Sequence, residues 1–176
     1  MEINDILTRL GIELNAMQEA TSEAVLRSNK DVVVLSPTGS GKTYAYLIPL
    51  IQLLNVEADE VQAVVIVPGR ELAQQSANVV KDLKCGLRAM ALYGGRPTMD
   101  EHRTLRDVRP QIVFATPGRL NDHLDKGNIL ANTVKWLIID EFDKCLEMGF
   151  QAEMEKLANS LPNVERRVLL SATESD

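Results

Sequence analysis

Cysteine and histidine are scarce in this chain of 176 residues, which contains two of each. Cys85 and Cys145 lie far apart in the sequence, and neither has a neighbouring ligand at metal-binding spacing. We therefore expect two free thiols and no zinc site. His102 and His123 stand among polar residues, which predicts surface positions for both imidazole rings.

Long apolar stretches are also absent. No run approaches the roughly 18 to 20 apolar residues that a membrane span requires, and the N-terminal sequence MEINDILTRL is too mixed and acidic for a signal peptide. These absences predict a cytoplasmic protein without a membrane partner. Apolar residues still make up 45% of the sequence, as in globular proteins, so 176 residues suffice for one domain with a sizeable core.

The chain has no excess of positive charge. It carries 19 lysines and arginines against 25 aspartates and glutamates, which gives a formal net charge of −6. An acidic chain does not hold nucleic acid through a broad basic surface. Any contact with nucleic acid must therefore be local, made by a few placed arginines and backbone amides.

Short apolar segments that are rich in β-branched residues and do not alternate predict strands buried on both faces. They lie at 32–35, 63–67, 111–115, 136–139 and 167–170, with a shorter candidate at 89–93. Helical patterns occur at 16–27, 42–53, 70–82, 99–106, 118–125 and 150–160. The alternation predicts an α/β fold, an open parallel β-sheet flanked by helices, with its ligand site at the carboxyl ends of the strands.

The segment SPTGSGKT, residues 36–43, follows the first predicted strand and leads into a helix. Its glycines allow the backbone N–H groups to wrap around a phosphate, and the helix dipole favours the same anion. Lys42 can reach the β- and γ-phosphates, and the Thr43 hydroxyl can ligate Mg²⁺. Although a polar turn is the alternative, and Ser36 replaces the first glycine of the P-loop pattern, the segment predicts nucleotide binding. The predicted binding residues are Thr38, Gly39, Ser40, Gly41, Lys42 and Thr43.

Two acids follow another predicted strand in WLIIDE, residues 136–141. A P-loop enzyme needs carboxylates at a second strand end to hold Mg²⁺ and to orient the attacking water. We assign Asp140 to the metal and Glu141 to the water, and with Lys42 they are the candidate catalytic residues. Helix capping is the alternative, because FDKCLEMGF predicts the start of a helix.

Taken together, these segments resemble the first RecA-like domain of a DEAD-box RNA helicase across nearly the whole chain. Six motifs stand in the family's order, which makes the resemblance specific. They are SPTGSGKTYAYLIP (motif I, 36–49), PGRELA (motif Ia, 68–73), GG (94–95), ATPGRL (motif Ib, 115–120), DEFDKCLEMGF (motif II, 140–150) and SAT (motif III, 171–173). The resemblance implies an ATP-dependent enzyme that remodels RNA duplexes or ribonucleoproteins, with ATP and Mg²⁺ as cofactors.

The resemblance also implies contacts with the RNA backbone, which read shape and not sequence. Each of the three segments has a structural alternative. Motif Ia is then an exposed arginine at the start of a helix, the glycine pair is a bare turn, and motif Ib is a Thr-Pro helix cap. The implied RNA-binding residues are Gly69, Arg70, Gly94, Gly95, Thr116, Gly118 and Arg119. A few such contacts are compatible with an acidic domain.

In the family, motif III couples the ATP state to RNA binding. That role falls here on Ser171 and Thr173, with Asp143 as their hydrogen-bond partner. Their alternative is a pair of small hydroxyl residues that end a strand. The family's adenine-reading glutamine corresponds to Gln18, although Leu14 and Asn15 replace the usual Pro-Thr pair. Otherwise Gln18 lies on the polar face of the predicted helix 16–27.

Two further departures concern motifs Ia and II. Gly69 replaces the usual threonine, which removes a hydroxyl and keeps the backbone amide. Phe142 replaces the usual alanine, so motif II reads DEFD. We expect Phe142 to change the local packing without loss of metal binding, because both acids with assigned roles are intact.

We expect residues 1–176 to form a single RecA-like ATP-binding domain, with the glutamine-motif region at about 1–30. The family's second RecA-like domain, which supplies further RNA contacts and the arginines that complete the ATP site, is absent from this chain. We therefore expect the chain to bind nucleotide, to hydrolyse ATP very slowly and not to unwind duplexes alone. The alternatives are a DNA-acting motor of the same superfamily and a non-catalytic RNA- or protein-binding scaffold.

Overall fold

One parallel β-sheet organises the chain. The computed structural model describes residues 2–37 and 39–172. The strands are β1 (Val32–Leu35), β2 (Ala63–Ile66), β3 (Ala89–Leu92), β4 (Ile112–Ala115), β5 (Trp136–Ile139) and β6 (Arg166–Ser171). They are ordered β1-β6-β5-β2-β4-β3, and every neighbouring pair is parallel. This arrangement confirms the predicted α/β fold, including the short strand at 89–92.

Helices cover both faces of the sheet, and none in the described part of the chain is long and apolar enough to cross a membrane. They are α1 (Ile3–Leu10), α2 (Ala16–Arg27), α3 (Lys42–Leu53), α4 (Arg70–Leu83), α5 (Thr98–Val108), α6 (Pro117–Asp125), α7 (Phe142–Glu147) and α8 (Gln151–Ser160), with a 3₁₀ turn at Ala131–Thr133. The sequence did not predict α1. The segment after the acids forms two helices, because the chain reverses at Gly149, whose φ is +81°.

The core lies in two layers, one on each face of the sheet. Side chains of α3 and α4 pack on one face, and side chains of α5, α6 and α8 pack on the other. This division follows from right-handed crossovers, since the connections through α3 and α4 run along the sheet in one direction and the later connections run back. Strands β2 and β4 are buried along their full length, as predicted for central strands.

The prediction that every strand is buried on both faces is wrong for β1. Val34 is only 6% exposed and packs in the first core layer, whereas Val33 and Leu35 are 64% and 63% exposed. Strand β1 lies at one edge of the sheet, and successive side chains of a strand point to opposite faces. Its apolar sequence therefore concealed an alternating pattern of burial.

Candidate nucleotide and RNA sites at the carboxyl edge of the sheet

The strand order divides the predicted site residues into two groups. Motifs I, II and III follow β1, β5 and β6, which are neighbours in the sheet. Motif Ia, the glycine pair and motif Ib follow β2, β3 and β4, which are neighbours in the other half. The carboxyl ends of parallel strands meet at one edge of the sheet. Two adjacent surfaces therefore form there, one from each group.

The P-loop lies between β1 and α3, and the backbone of Gly41 begins the helix with φ +86°. The hydroxyl of Ser36 is hydrogen-bonded to that of Ser40 at 2.7 Å, across the base of the loop. Lys42 Nζ donates to the carbonyl oxygens of Ser36 and Ser171, the latter at 3.3 Å. The lysine therefore lies across the ends of β1 and β6. Thr38 lies outside the residues that the structure describes.

Gln18 lies against the P-loop and is buried. Its side-chain oxygen accepts from Asn15 N at 2.9 Å, while Asn15 Oδ1 accepts from Gln18 N at 2.8 Å, so the two residues form a capping box at the start of α2. Gln18 Nε2 donates to Gly41 O at 3.0 Å, and Asn15 Nδ2 donates to Ser40 O at 3.0 Å. In the sequence, Asn15 stands only as a departure from the family pattern. The N-x-x-Q spacing was the signal that could have identified it as a helix cap.

Asp140 is the residue immediately after β5, and its carboxylate is buried. Burial and the negative charge of Glu141 raise the pKa of Asp140 to about 6, although the Glu141 amide and Lys42 oppose the change. Glu141 has a left-handed backbone with φ +51°, which is uncommon outside glycine and turns the chain sharply into α7. The Glu141 amide donates to Asp140 Oδ1 at 2.9 Å and fixes that carboxylate.

A cleft of about 180 Å³ brings motifs I and II together. It is lined by Gly39, Gly41, Lys42, Thr43, Leu72, Asp140, Glu141, Asp143, Lys144 and Ala172. A hydroxyl and crowded carboxylates are the hard oxygen donors that Mg²⁺ prefers. In the described part of the chain no three His, Cys, Asp or Glu side chains form a metal-binding group, so an ion here needs phosphate and water as further ligands. Magnesium is ordinarily bound in this way beside nucleotides.

Motif III lies beside this cleft. Ser171 ends β6, and its carbonyl accepts from Ser36 N at 3.2 Å as well as from Lys42. Asp143 lines the cleft, and among the hydrogen bonds of the described residues none joins it to Ser171. Thr173 lies outside the described residues. The structure therefore places Ser171 and Asp143 at the same edge without the predicted contact between them.

Phe142, the unusual residue of motif II, is directed away from the cleft. It is the first residue of α7 and packs partly buried against the second core layer. It lines an apolar groove together with Leu137, Ile139, Leu146 and Met154. Phe142 thus lines a groove that does not include Asp143, which lines the cleft.

The residues predicted to contact RNA lie at exposed turns after β2, β3 and β4. Gly69 is the N-cap of α4, and Arg70 begins that helix with an exposed side chain. Gly94 and Gly95 form an exposed turn, in which Gly95 has a φ of +92°. Thr116 is the N-cap of α6, its side chain makes no capping hydrogen bond, and Gly118 in the first turn is exposed. Two helix starts and one glycine turn thus follow neighbouring strands at this edge, although the Thr116 amide already donates to Leu92 O at 3.1 Å.

Comparison with known proteins identifies the family of this chain. The profile of the DEAD/DEAH box helicase family matches residues 15–176. The chain belongs to this family. The DEAD-box ATP-dependent RNA helicase CshA of Bacillus subtilis is 37% identical over 169 residues, which cover 95% of this chain and 34% of that protein. The ATP-dependent RNA helicase DeaD of Escherichia coli is 38% identical over 174 residues, which cover 97% and 28%. The chain spans about a third of the length of these curated relatives.

Solved structures of the same family share the fold. A DEAD box protein from the hyperthermophile Methanococcus jannaschii aligns with a TM-score of 0.90 at 34% identity, over 98% of this chain and 48% of its own. A DEAD-box helicase bound to ssRNA and UDP-BeF aligns with a TM-score of 0.89 at 34% identity, over 99% and 39%. The RecA-like architecture expected from the sequence is confirmed.

Arg119 of this DEAD/DEAH box chain is largely buried, whereas its motif suggests an exposed side chain that binds phosphate. Its side chain is only 10% exposed. The guanidinium donates to Thr98 Oγ1 at 2.6 Å and to Arg96 O at 2.8 Å, and its Nε lies 3.5 Å from Glu101 Oε1. In this arrangement Arg119 connects α6 to α5 and to the residue after the glycine turn.

The prediction of a surface position for His123 is wrong, because its side chain is fully buried in α6. Its Nε2 lies 2.7 Å from Glu101 Oε1, and Asn128 Nδ2 lies 3.0 Å from its Nδ1. Glu101, which is buried in α5, was not among the predicted site residues either. No local pattern indicated either residue, because the partners that permit burial of these polar groups come from different elements.

Proposed function

We propose that this chain is the nucleotide-binding half of the core of an ATP-dependent RNA helicase, which couples ATP binding and hydrolysis to remodelling of RNA duplexes or ribonucleoproteins. One observation carries the proposal. Lys42, Thr43, Asp140 and Glu141 meet in a cleft at the carboxyl edge of the sheet, beside the exposed amides that follow β2, β3 and β4. The printed names of the relatives, which describe ATP-dependent RNA helicases, support the same assignment.

In this proposal the P-loop holds the phosphates of ATP. The backbone amides of residues 38–41 and the start of α3 surround the anion. Lys42 exchanges its carbonyl partners on β1 and β6 for the β- and γ-phosphate oxygens. In this proposal nucleotide binding leaves the Ser36 carbonyl without its lysine partner, whereas the Ser171 carbonyl keeps its hydrogen bond from Ser36 N.

Thr43 and Asp140 are the proposed residues that hold Mg²⁺, which neutralises charge on the phosphates when it is bound. A cation beside Asp140 favours its ionised form and opposes the effect of burial on its pKa. Glu141 is proposed to orient the attacking water, and the left-handed backbone that precedes α7 directs its side chain to the cleft. Asp143, Ser171 and Thr173 are proposed to link this cleft to the RNA surface.

Gln18 is proposed to read adenine through its amide group. The group already makes two contacts, to the N-terminus of α2 and to the P-loop. Because Gln18 Nε2 donates to Gly41 O, the same side chain would contact both the P-loop and the base. We also propose that Phe142, in the DEFD form of motif II, does not abolish metal binding.

RNA is the proposed second ligand. The residues proposed to bind its phosphates are Gly69, Arg70, Gly94, Gly95, Thr116 and Gly118, and Arg119 is proposed to support them. Backbone amides are the main proposed donors, except at Thr116, whose amide donates to Leu92 O and whose hydroxyl would be the donor. A DEAD-box helicase structure that aligns with a TM-score of 0.89 was solved with ssRNA, which supports RNA as the ligand. The relatives are about three times longer, so we further propose that a second RecA-like domain completes both sites in a cytoplasmic enzyme.

Calorimetric titration of Mg-ADP into the chain and its Lys42→Ala variant tests the nucleotide site. We expect binding to be lost in the variant, because the phosphates lose their lysine. Lys144→Ala is the matched control, since Lys144 lines the same cleft with an exposed side chain and has no assigned phosphate. Equal weakening by both substitutions, or no binding to the wild-type chain, would favour the scaffold alternative.

The base-reading role of Gln18 is tested with Mg-ADP and Mg-GDP and the variant Gln18→Glu. Glutamate keeps the acceptor of the capping box and removes the donor. We expect the wild-type chain to prefer ADP, and the variant to lose that preference while its helix content is unchanged. Equal affinity of the wild-type chain for ADP and GDP would remove this role and leave the P-loop assignment intact.

A further inference from the structure

Glu101 is a buried carboxylate in the half of the molecule that carries the proposed RNA contacts. It lies in the first turn of α5, where its side chain is 2% exposed while that of the adjacent Asp100 is exposed. Burial of a carboxylate is costly unless donors satisfy its oxygens. The donors here are Tyr93 N and Arg96 Nε, on either side of the glycine turn, and His123 Nε2 in the last turn of α6. Arg119, in the first turn of α6, lies 3.5 Å away, and this turn and the glycine turn both belong to the proposed RNA surface.

One carboxylate oxygen of Glu101 closes the glycine turn from both ends. Oε2 accepts from the Tyr93 amide at 2.9 Å and from Arg96 Nε at 2.9 Å. Tyr93 directly precedes the Gly94–Gly95 turn, and Arg96 directly follows it. Arg96 also donates to Ala91 O at 2.6 Å, which ties the turn to the end of β3.

The other oxygen of Glu101 holds α6. Oε1 contacts His123 Nε2 at 2.7 Å and lies 3.5 Å from Arg119 Nε. Because a carboxylate only accepts hydrogen bonds, His123 carries its hydrogen on Nε2, and its Nδ1 accepts from Asn128. These two hydrogen bonds hold the His123 ring in one orientation and join α6 to Glu101.

A direct bridge joins the two turns as well. Arg119 donates to the carbonyl of Arg96 at 2.8 Å and to the hydroxyl of Thr98 at 2.6 Å. The glycine turn, the start of α5 and the first turn of α6 therefore form one connected unit with Glu101 at its centre. The exposed groups of that unit are those proposed to contact RNA.

We propose that Glu101 is a positioning residue for RNA binding. It holds the Gly94–Gly95 turn and the first turn of α6 at the relative placement needed to bind neighbouring phosphates of one strand, without contacting RNA itself. This inference rests on the proposed RNA function of these turns. A residue buried only to stabilise the core has no need to connect both of them.

The charge of Glu101 and its positioning role predict opposite effects on RNA affinity when the side chain is removed. Removal of a carboxylate from an acidic chain reduces repulsion of the RNA backbone, so charge alone predicts tighter binding. Loss of positioning predicts weaker binding. Asp100 provides the matched comparison, because it precedes Glu101 in the same helix, carries the same charge and is exposed, with an ion pair only to Arg103 in the described part of the chain.

The test is fluorescence anisotropy of a short labelled oligouridylate at low salt with Mg-AMP-PNP, using the wild-type chain, Glu101→Ala and Asp100→Ala. We expect Glu101→Ala to weaken RNA binding by about tenfold or more, as when support for a binding group is lost. Asp100→Ala should bind as tightly as the wild-type chain, or more tightly. Mg-ADP affinity, measured on the same samples, should stay within about twofold in both variants.

RNA binding by Glu101→Ala that equals that of Asp100→Ala would overturn the inference and leave the proposed function intact. Absence of RNA binding by the wild-type chain would overturn the proposed RNA surface, and the inference with it, even if Mg-ADP still bound. Loss of Mg-ADP affinity together with RNA affinity in Glu101→Ala would also count against it, because the residue would then support the whole fold.

Glu101→Gln provides a second readout that does not depend on RNA. The glutamine amide would donate to His123 Nε2, so the ring should transfer its hydrogen to Nδ1, and the Asn128 amide should turn to accept it. Nitrogen-15 NMR of the imidazole distinguishes the two tautomers. We expect the reversed tautomer and an RNA affinity between those of the wild-type chain and Glu101→Ala, and an unchanged His123 spectrum would contradict the proposed contact.

Discussion

Gly41 is the residue at which the glutamine motif and the P-loop approach most closely. Its φ is +86°, and a Cβ placed there would lie 2.4 Å from Gln18 Nε2. An alanine would therefore meet both backbone strain and a clash. Gly39, in the same loop, has a φ of +82° and open space around the position of a Cβ.

The two glycines allow strain and clash to be separated. We expect Gly39→Ala to lower the free energy of unfolding by about 1 kcal/mol through strain alone. Gly41→Ala should cost more and should also weaken Mg-ADP binding, because Gln18 must move. Urea unfolding and calorimetry measure the two effects. Equal costs for both substitutions would show that Gln18 does not pack against Gly41 in solution.

At the scale of the element, β1 shows how an edge strand differs from the central strands that resemble it in sequence. Val33 and Val34 are adjacent and identical, yet one is exposed and the other is in the core. We expect Val33→Thr to change the free energy of unfolding by less than about 0.5 kcal/mol. Val34→Thr should cost about 1 to 3 kcal/mol, since it buries a hydroxyl among apolar side chains.

Urea unfolding at several protein concentrations measures both valine substitutions. Concentration is varied because the exposed apolar face of β1 favours association of chains at an unpaired sheet edge. A cost for Val33→Thr as large as that for Val34→Thr would contradict the exposed position of Val33.

The connection between α5 and α6 is expected to depend on pH through Glu101. Burial raises the pKa of Glu101, but hydrogen bonds from His123, the Tyr93 amide and Arg96 outweigh it, so the pKa in the folded chain lies below its ordinary value. The ionised carboxylate therefore stabilises the fold above the unfolded-state pKa of about 4.3. This contribution is lost as the pH falls through the lower value of the folded chain.

Glu101→Gln makes that dependence measurable. At pH 7 we expect the variant to be less stable by about 1 to 3 kcal/mol, because charged hydrogen bonds are lost. The difference should narrow only below a pH of about 4.3, as the wild-type carboxylate takes up its proton. Urea unfolding of both chains at each pH measures the difference in their free energies of unfolding, in which the contributions of the other carboxylates cancel. A difference that stays constant into the acid range would contradict the lowered pKa.

At the scale of the whole molecule, the order of the strands separates the two proposed ligands. Motifs I, II and III meet at β1, β6 and β5, and the turns proposed to bind RNA meet at β2, β4 and β3. Asp140 lies at the boundary, since its amide donates to Ile66 O at the end of β2. One hydrogen bond between adjacent strands therefore joins the candidate nucleotide cleft to the end of the strand that precedes motif Ia.

ATP turnover by this chain alone is expected to be very slow. The resemblance places the arginines that complete the ATP site in a second domain, and arginines of this kind accelerate phosphoryl transfer ~10³- to 10⁵-fold in related systems. A coupled phosphate assay with and without oligouridylate, with Lys42→Ala as the blank, measures the rate. Robust RNA-stimulated turnover by the wild-type chain would show that these residues suffice for catalysis.

Some properties of this protein are determined by short stretches of sequence. The P-loop residues Gly39 to Thr43 are consecutive, and the acids Asp140 and Glu141 directly follow their strand. Such groups need only the local strand–loop–helix geometry to act together. The fold class and both parts of the candidate nucleotide site therefore follow from residues a few positions apart, and the six motifs in order indicated the family.

Other properties were decided only by the tertiary structure, because they depend on residues that are distant in sequence. Val33 and Val34 differ only because β1 lies at the edge of the sheet. Glu101 and His123 are separated by 22 positions, and each is buried because the other partners it. The pKa of Asp140 is likewise raised mainly by burial, and the residues next to Asp140 in the sequence do not determine that burial. Consecutive residues determine the local chemistry, whereas burial and strand order depend on the packing of the whole chain.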